Sequence, residues 1–180
     1  MALIESRMMP LGTKAPNFTL PAPDDGREYS LDSLRGKKGT LVMFICNHCP
    51  YVKHIESKLV DLGGRFQNTG VSIVAISAND ADTHPQDGPE QMAAKNYPFP
   101  YLYDQSQQVA KTYGAECTPD FFLFGADLGC VYRGQFDSSR PGNDIPVSGD
   151  DLVAAMDALL NQTAVSSDQK PSIGCNIKWR

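Results

Sequence analysis

Apolar positions along the chain follow two periods, and the switch between them lays out the elements. Residues 41–45 and 71–77 are continuous apolar runs, as expected of strands covered on both faces of a parallel sheet. Between them Val52, Ile55, Leu59, Leu62 and Phe66 recur three and four apart, which predicts a helix with one buried face. Strand, helix and strand at this length make a βαβ unit with a right-handed crossover. Pro50 falls in the first turn of that helix, where a missing N–H is tolerated, but it biases Cys49 away from helical dihedrals and predicts an irregular start. Gly63 and Gly64 weaken the far end, and Gly70 stops it.

Turn chemistry supplies the rest. Residues 17–20 and 27–29 flank the turn-rich stretch 21–26 and predict a hairpin, with 30–34 a single helical turn. The polar stretch 79–89, including Asp80, Asp82, His84 and Asp87, reads as a solvated loop, and 90–96 as a short helix. Asp104 with Gln107 has capping-box spacing for a helix that Gly114 closes. Residues 121–124 and 130–133, joined by 125–129, predict a second hairpin. Ser148 and Asp151 open a last helix with Leu152, Met156 and Leu159 on one face. The tail should be mobile to about Lys170. Residues 171–180 then carry Ile173, Cys175, Ile177 and Trp179, the only tryptophan, and are expected to dock on the body.

At 180 residues a single domain is expected over 1–180, with 1–11 a lead-in and 161–180 a docked tail. The net charge of −5 and the lack of a Lys/Arg cluster argue against nucleic-acid binding. No apolar run approaches membrane-spanning length, and residues 1–11 lack the apolar centre of a secretion signal, so a cytoplasmic protein without a membrane partner is expected.

The candidate chemistry is Cys46-Asn47-His48-Cys49, between the first apolar run and the helix. The five cysteines (Cys46, Cys49, Cys117, Cys130 and Cys175) are too few and too scattered for a disulfide scaffold. Two thiols at a strand-to-helix junction suit dithiol redox chemistry, because unpaired N–H groups and the helix dipole stabilise a thiolate there. Cys46 is expected at the helix mouth as the nucleophile, with Cys49 one turn deeper as the resolving thiol. His48 either lowers the Cys46 pKa as an imidazolium or is a solvated histidine. Cys117 and Cys175 are possible auxiliary thiols whose other reading is packing. Arg133 and Arg140 could bring positive charge to the site or lie solvated. A zinc site needs a second ligand pair, and Cys117 with His48 or His54 is an incomplete set, so neither a metal nor an organic cofactor is expected.

The order β-α-β-α-β-β-α, with Cys-x-x-Cys after the first core strand and Thr118-Pro119 directly before residues 121–124, resembles the thioredoxin fold. That resemblance implies an α/β protein with a central mixed sheet flanked by helices, an N-terminal hairpin extension and a C-terminal tail. It also implies a cis Pro119 opposite the dithiol, with Thr118 presented to a bound peptide or disulfide. The run 15–20 is similar to the redoxin branch, which includes the peroxiredoxins of the AhpC/TSA type. Residues 44–54, 117–120, 137–143 and 171–179 resemble the peroxiredoxin-like group of bacterial thioredoxin-family proteins.

The departures bear on the reaction. In the peroxiredoxin pattern Pro-x-x-x-Thr-x-x-Cys, counting back from Cys49 finds Val42 and Cys46, and counting back from Cys46 finds Gly39 and Met43. Thioredoxin proper has tryptophan before the first cysteine and Gly-Pro between the two, where this chain has Ile45 and Asn47-His48. The resemblance implies a thiol-disulfide oxidoreductase acting on protein or small-molecule thiols and disulfides. A hydroperoxide-reducing thiol peroxidase and a non-catalytic metal- or thiol-binding module are the alternatives.

Overall fold

A computed structural model describes residues 3–180. Its centre is a five-stranded mixed sheet. β1 (Leu3–Glu5), β2 (Thr19–Pro21) and β3 (Glu28–Ser30) lie outside it and lead through α1 (Leu31–Leu34) to the first core strand, β4 (Gly39–Phe44). Then follow α2 (Pro50–Phe66), β5 (Val71–Ser77), α3 (Pro89–Ala93), β6 (Tyr101–Tyr103), α4 (Gln108–Tyr113), β7 (Cys117–Thr118), β8 (Asp120–Gly125), β9 (Cys130–Gly134), α5 (Asp150–Leu160) and β10 (Ile173–Asn176). The central order is β6-β5-β4-β8-β9, with β4, β5 and β6 parallel, β8 antiparallel to β4, and β9 antiparallel to β8.

The period-two alternation of β4 divides the core. Leu41 and Met43 pack with the buried face of α2, from Val52 to Phe66, and with Leu152 and Met156 of α5. Val42 and Phe44 face Ala110 and Tyr113 of α4, Phe122 and Phe124 of β8, and Phe18, Leu20 and Leu31 of the N-terminal extension. Both faces are covered, as the apolar runs required. Gly63 has a packing reason: a Cβ there would lie 2.5 Å from Pro98 Cγ. Among the described residues, no helix is long and apolar enough to cross a membrane.

The hairpins are where the pattern put them, with β2 on β3 and β8 on β9. Ser30 and Ser33 form a reciprocal capping box on α1. Two capping expectations are corrected. Gln107, in the left-handed region at φ 62°, precedes the first residue of α4, and its side chain leaves the helix to donate to the carbonyls of Ala78 and Lys178. Asp104 acts from the preceding turn by accepting from the Ala110 N–H at 2.9 Å. At α5 the residue before the helix is Gly149, and Asp137 Oδ2 takes the N–H groups of Ser148 and Gly149 at 2.8 and 2.6 Å.

Four short strands lie outside the expected set: β1, β6, β7 and β10. β10 sits between β1 and β7 in a separate antiparallel three-stranded sheet, so the tail docks as expected. Its anchoring starts before Lys170, contrary to the expected mobile stretch: Gln169 Oε1 accepts from Arg133 Nη1 at 2.6 Å, and the Lys170 carbonyl accepts from the Gln135 N–H at 3.0 Å.

Candidate active site

The site lies where β4 hands over to α2. Pro50 is the first helical residue and Cys49 caps the helix with φ −61° and ψ 123°, an extended conformation favoured by the following proline. Cys49 therefore occupies the helix mouth expected of Cys46, and Cys46 lies in the crossing segment ahead of it. The reason is Pro50, which disfavours helical dihedrals on its predecessor and so starts the helix three residues further along.

Both thiols are covered, Cys46 at 1% and Cys49 at 0% exposure. Cys46 Sγ lies 3.5 Å from Thr118 Oγ1, and Cys49 Sγ lies 3.2 Å from the Thr118 carbonyl, which takes the Cys49 proton when the pair is fully protonated. The Thr118–Pro119 bond is cis, as the resemblance implied. A third sulfur joins them: Cys175 Sγ of β10 is 2.9 Å from Cys49 Sγ.

Electrostatics separates the two thiols of the pair. Cys46 is pushed up chiefly by its interaction with Cys49, with burial and the Asp87 charge adding to the effect. Cys49 is drawn down, chiefly by its interaction with Cys46; burial opposes this, and the Cys175 thiol, Thr118 and the Val52 N–H of the first helical turn reinforce it. Of these causes only the Val52 N–H belongs to the helix terminus, and it acts on Cys49. Burial raises Cys175 to about 12, helped by its bond to Cys49.

His48 is set by Asp87. The Asp87 carboxylate, 0% exposed, binds His48 Nδ1 through Oδ2, which also accepts from Asn79 Nδ2 at 2.8 Å. Its Oδ1 accepts from the backbone N–H groups of Asn47 and His48 at 2.8 and 3.0 Å. Cys46 Sγ is 3.9 Å from the same Nδ1, so the ring is committed to the carboxylate rather than to the thiol. Cys46, His48 and Asp87 each place a potential ligand atom within 4.8 Å of the others. With four hydrogen bonds on its two oxygens, however, Asp87 is saturated as an orienting group.

The structure thus brings together Cys46, Cys49, His48, Thr118, Pro119 and Cys175. Cys117 is buried in β7 with its Sγ 3.7 Å from the Pro119 carbonyl. Cys130 bonds the Tyr132 carbonyl at 3.6 Å. Arg133 is held by Met9 and Gln169, and Arg140 by Gln135, Asp137 and Ser139. Asp87 and Asn79 are the residues that sequence reasoning missed. Asp87 belongs to the stretch read as a solvated turn, and nothing in its spacing marks it as buried.

The converging thiols, the cis proline and the mixed sheet define a thioredoxin-fold redoxin. The chain belongs to the AhpC/TSA family, whose model matches residues 11–133. It is 32% identical over 105 residues to a protein named as a peroxiredoxin, bcp, in Coxiella burnetii. It is 28% identical over 119 residues to the thiol-disulfide oxidoreductase ResA of Bacillus thuringiensis subsp. konkukian. Those alignments cover 58% and 66% of this chain, and the chain spans about two thirds of each relative, 66% in both cases. The crystal structure of an uncharacterized conserved protein from Geobacillus kaustophilus is 53% identical, with a TM-score of 0.98 over 100% of this chain and 97% of that one.

Proposed function

We propose that the protein is a thiol-disulfide oxidoreductase that uses Cys46 and Cys49 on low-molecular-mass or protein disulfides. The observation that carries this reading is the convergence of the two thiols on Thr118 at the start of α2, with Cys46 Sγ 3.5 Å from Thr118 Oγ1 and Cys49 Sγ 3.2 Å from the Thr118 carbonyl. Cys46 attacks a substrate disulfide while the Cys49 thiolate takes its proton. The substrate's first thiolate leaves and collects that proton. Cys49, again a thiolate, attacks Cys46 Sγ, forms the intramolecular disulfide and releases the second substrate thiolate, which is protonated by solvent. Another thiol system in a cytoplasmic setting returns the electrons. His48, held by Asp87, walls the Cys46 side of the site.

The midpoint potential of the pair, from glutathione redox titration with alkylation and mass mapping, tests this. A Cys46–Cys49 disulfide forming reversibly with a defined midpoint supports the reading, and its absence at every poise overturns it.

One observation favours a thiol peroxidase as the second reading. Cys46 stands three residues before Cys49, the place of the threonine in Pro-x-x-x-Thr-x-x-Cys. Val42 occupies the proline position. Stopped-flow mixing of the reduced protein with hydrogen peroxide separates the two. Oxidation no faster than that of a small-molecule thiol removes the peroxidase.

A further inference from the structure

We infer that Cys175 is a third redox thiol, carried on a strand of the chain that fills the place of a bound substrate segment, and that it exchanges disulfides with Cys49. This rests on the dithiol reading above and extends it.

The placement is specific. β10 runs antiparallel to β7 with Cys175 opposite Thr118, the residue that directly precedes Pro119 and faces both thiols. An extended chain pairing with Thr118 sets its own sulfur against the dithiol, and β10 does so with Cys175 Sγ 2.9 Å from Cys49 Sγ. A disulfide needs about 2.05 Å, so the two sulfurs close by about 0.9 Å. No outside chain can pair with Thr118 while β10 is in place.

The strand is built to lie there. Gly174 is the residue beside the threonine, and a Cβ on it would stand 2.0 Å from the Thr118 carbonyl oxygen, so only glycine permits the approach. Ser6 and Ser172 clasp the strand from one side, through Ser6 N–H to the Ser172 carbonyl at 2.8 Å and Ser172 N–H to Ser6 Oγ at 2.9 Å. From the other side, the Lys178 N–H donates to Asn79 Oδ1 at 2.8 Å, and Asn79 in turn donates to Asp87. The strand that carries Cys175 is therefore tied to the carboxylate that holds His48.

The exchange is redox-neutral. Once Cys46 and Cys49 are linked, Cys175 attacks Cys49 Sγ. The Cys175–Cys49 bond forms, the Cys46–Cys49 bond breaks, and its electron pair leaves on Cys46, which receives the proton lost by Cys175. The disulfide now joins α2 to β10 and Cys46 is a thiol again. Reduction of either linkage by two equivalents of an external thiol, which leave as their disulfide, returns the starting state.

The test uses the full chain and its Cys46→Ser, Cys49→Ser, Cys175→Ser and Cys175→Ala variants, oxidised with glutathione disulfide, quenched by rapid alkylation and mapped by mass spectrometry. Thermal melting confirms that each variant is folded. The expected result is a Cys49–Cys175 linkage in most molecules of Cys46→Ser. Oxidised wild type should divide between the Cys46–Cys49 and Cys49–Cys175 forms, with Cys46 alkylated in the second. Both Cys175 variants should lose the second form and change the rate of re-reduction at least fivefold. If Cys46→Ser instead yields only a glutathione adduct on Cys49 with Cys175 alkylated, the inference is overturned while the dithiol reading stands. If wild type forms Cys49–Cys175 but never Cys46–Cys49, Cys175 is upheld as a redox thiol and the dithiol reading falls.

Discussion

Replacing Gly174 by alanine should uncover the dithiol and destabilise the protein together. The added Cβ would sit 2.0 Å from the Thr118 carbonyl oxygen and 2.7 Å from its carbon, both backbone atoms that no rotamer change can move. β10 must separate from β7, and with it go the pairing of Cys175 with Thr118 and the burial of Cys175 and Ile177. Ile177 alone is worth about 2 kcal/mol of apolar burial. The backbone bonds of the strand contribute roughly 1 kcal/mol each. Since part of the strand can relax against β1, a loss of about 3 kcal/mol is expected, or roughly 6–12 °C in Tm for a chain of this length. Scanning calorimetry reads the stability, and the rate of Cys49 capture by a fluorescent alkylating agent reads the exposure, which should rise more than tenfold. A Tm within about 2 °C of wild type, with an unchanged capture rate, would refute the claim that glycine at this position seats the strand.

Three further outcomes follow from the site. In the reduced protein the ultraviolet thiolate signal should be present at neutral pH and be lost only as pH falls well below the ordinary thiol range, because the Cys49 pKa is lowered. Because that pKa is lowered on folding, the associated stability is fully present above the unfolded thiol's pKa and is lost as pH falls through the folded value; a signal that appears only near pH 9 contradicts this. Asp87→Asn should cost about 1–3 kcal/mol, because an amide cannot accept from all four donors that meet the carboxylate. With Cys49 and Cys175 both replaced by serine, the same change should lower the pH midpoint of Cys46 alkylation, and an unmoved midpoint excludes the carboxylate as a cause of the raised Cys46 pKa. Asp137→Ala strips the start of α5 and the Ser139 N–H of their acceptor and should cost about 2 kcal/mol in urea unfolding, whereas a change under about 0.5 kcal/mol would show that solvent caps the helix equally well.

The parts of the fold governed by local rules were legible in the sequence. The apolar runs gave β4 and β5, the three-and-four spacing gave α2, the turn residues gave both hairpins, and Gly114 ends α4 at φ 69° as a left-handed cap. Misreadings arose where a distant partner outbids the local signal. Gln107 looked like the third residue of a capping box, but its amide is claimed by carbonyls of Ala78 and Lys178. β6, β7 and β10 are two to four residues long and exist through pairings that no local period encodes. The site divides in the same way. Cys46, His48 and Cys49 are adjacent in sequence and Thr118-Pro119 carries a recognisable pattern. The burial of Asp87 depends on the fold around residues 78–88, and the seating of Cys175 depends on a glycine whose purpose shows only when β7 lies beside it.

The small sheet formed by β1, β10 and β7 also bears on the order in which the molecule assembles and loosens. Ser6 and Ser172, 166 residues apart, are joined across it, so it closes one of the longest loops in the chain. Contacts of such separation form late, after the local units of the central sheet. Local opening of this sheet in the native state would uncover the dithiol. During folding the dithiol therefore exists before its cover does, and in the finished protein its availability is set by how often that cover breathes. Amide exchange at Cys175 and Asn176 and the reaction rate of Cys49 should then share one opening equilibrium, with the sulfur chemistry timed by the opening of this small sheet.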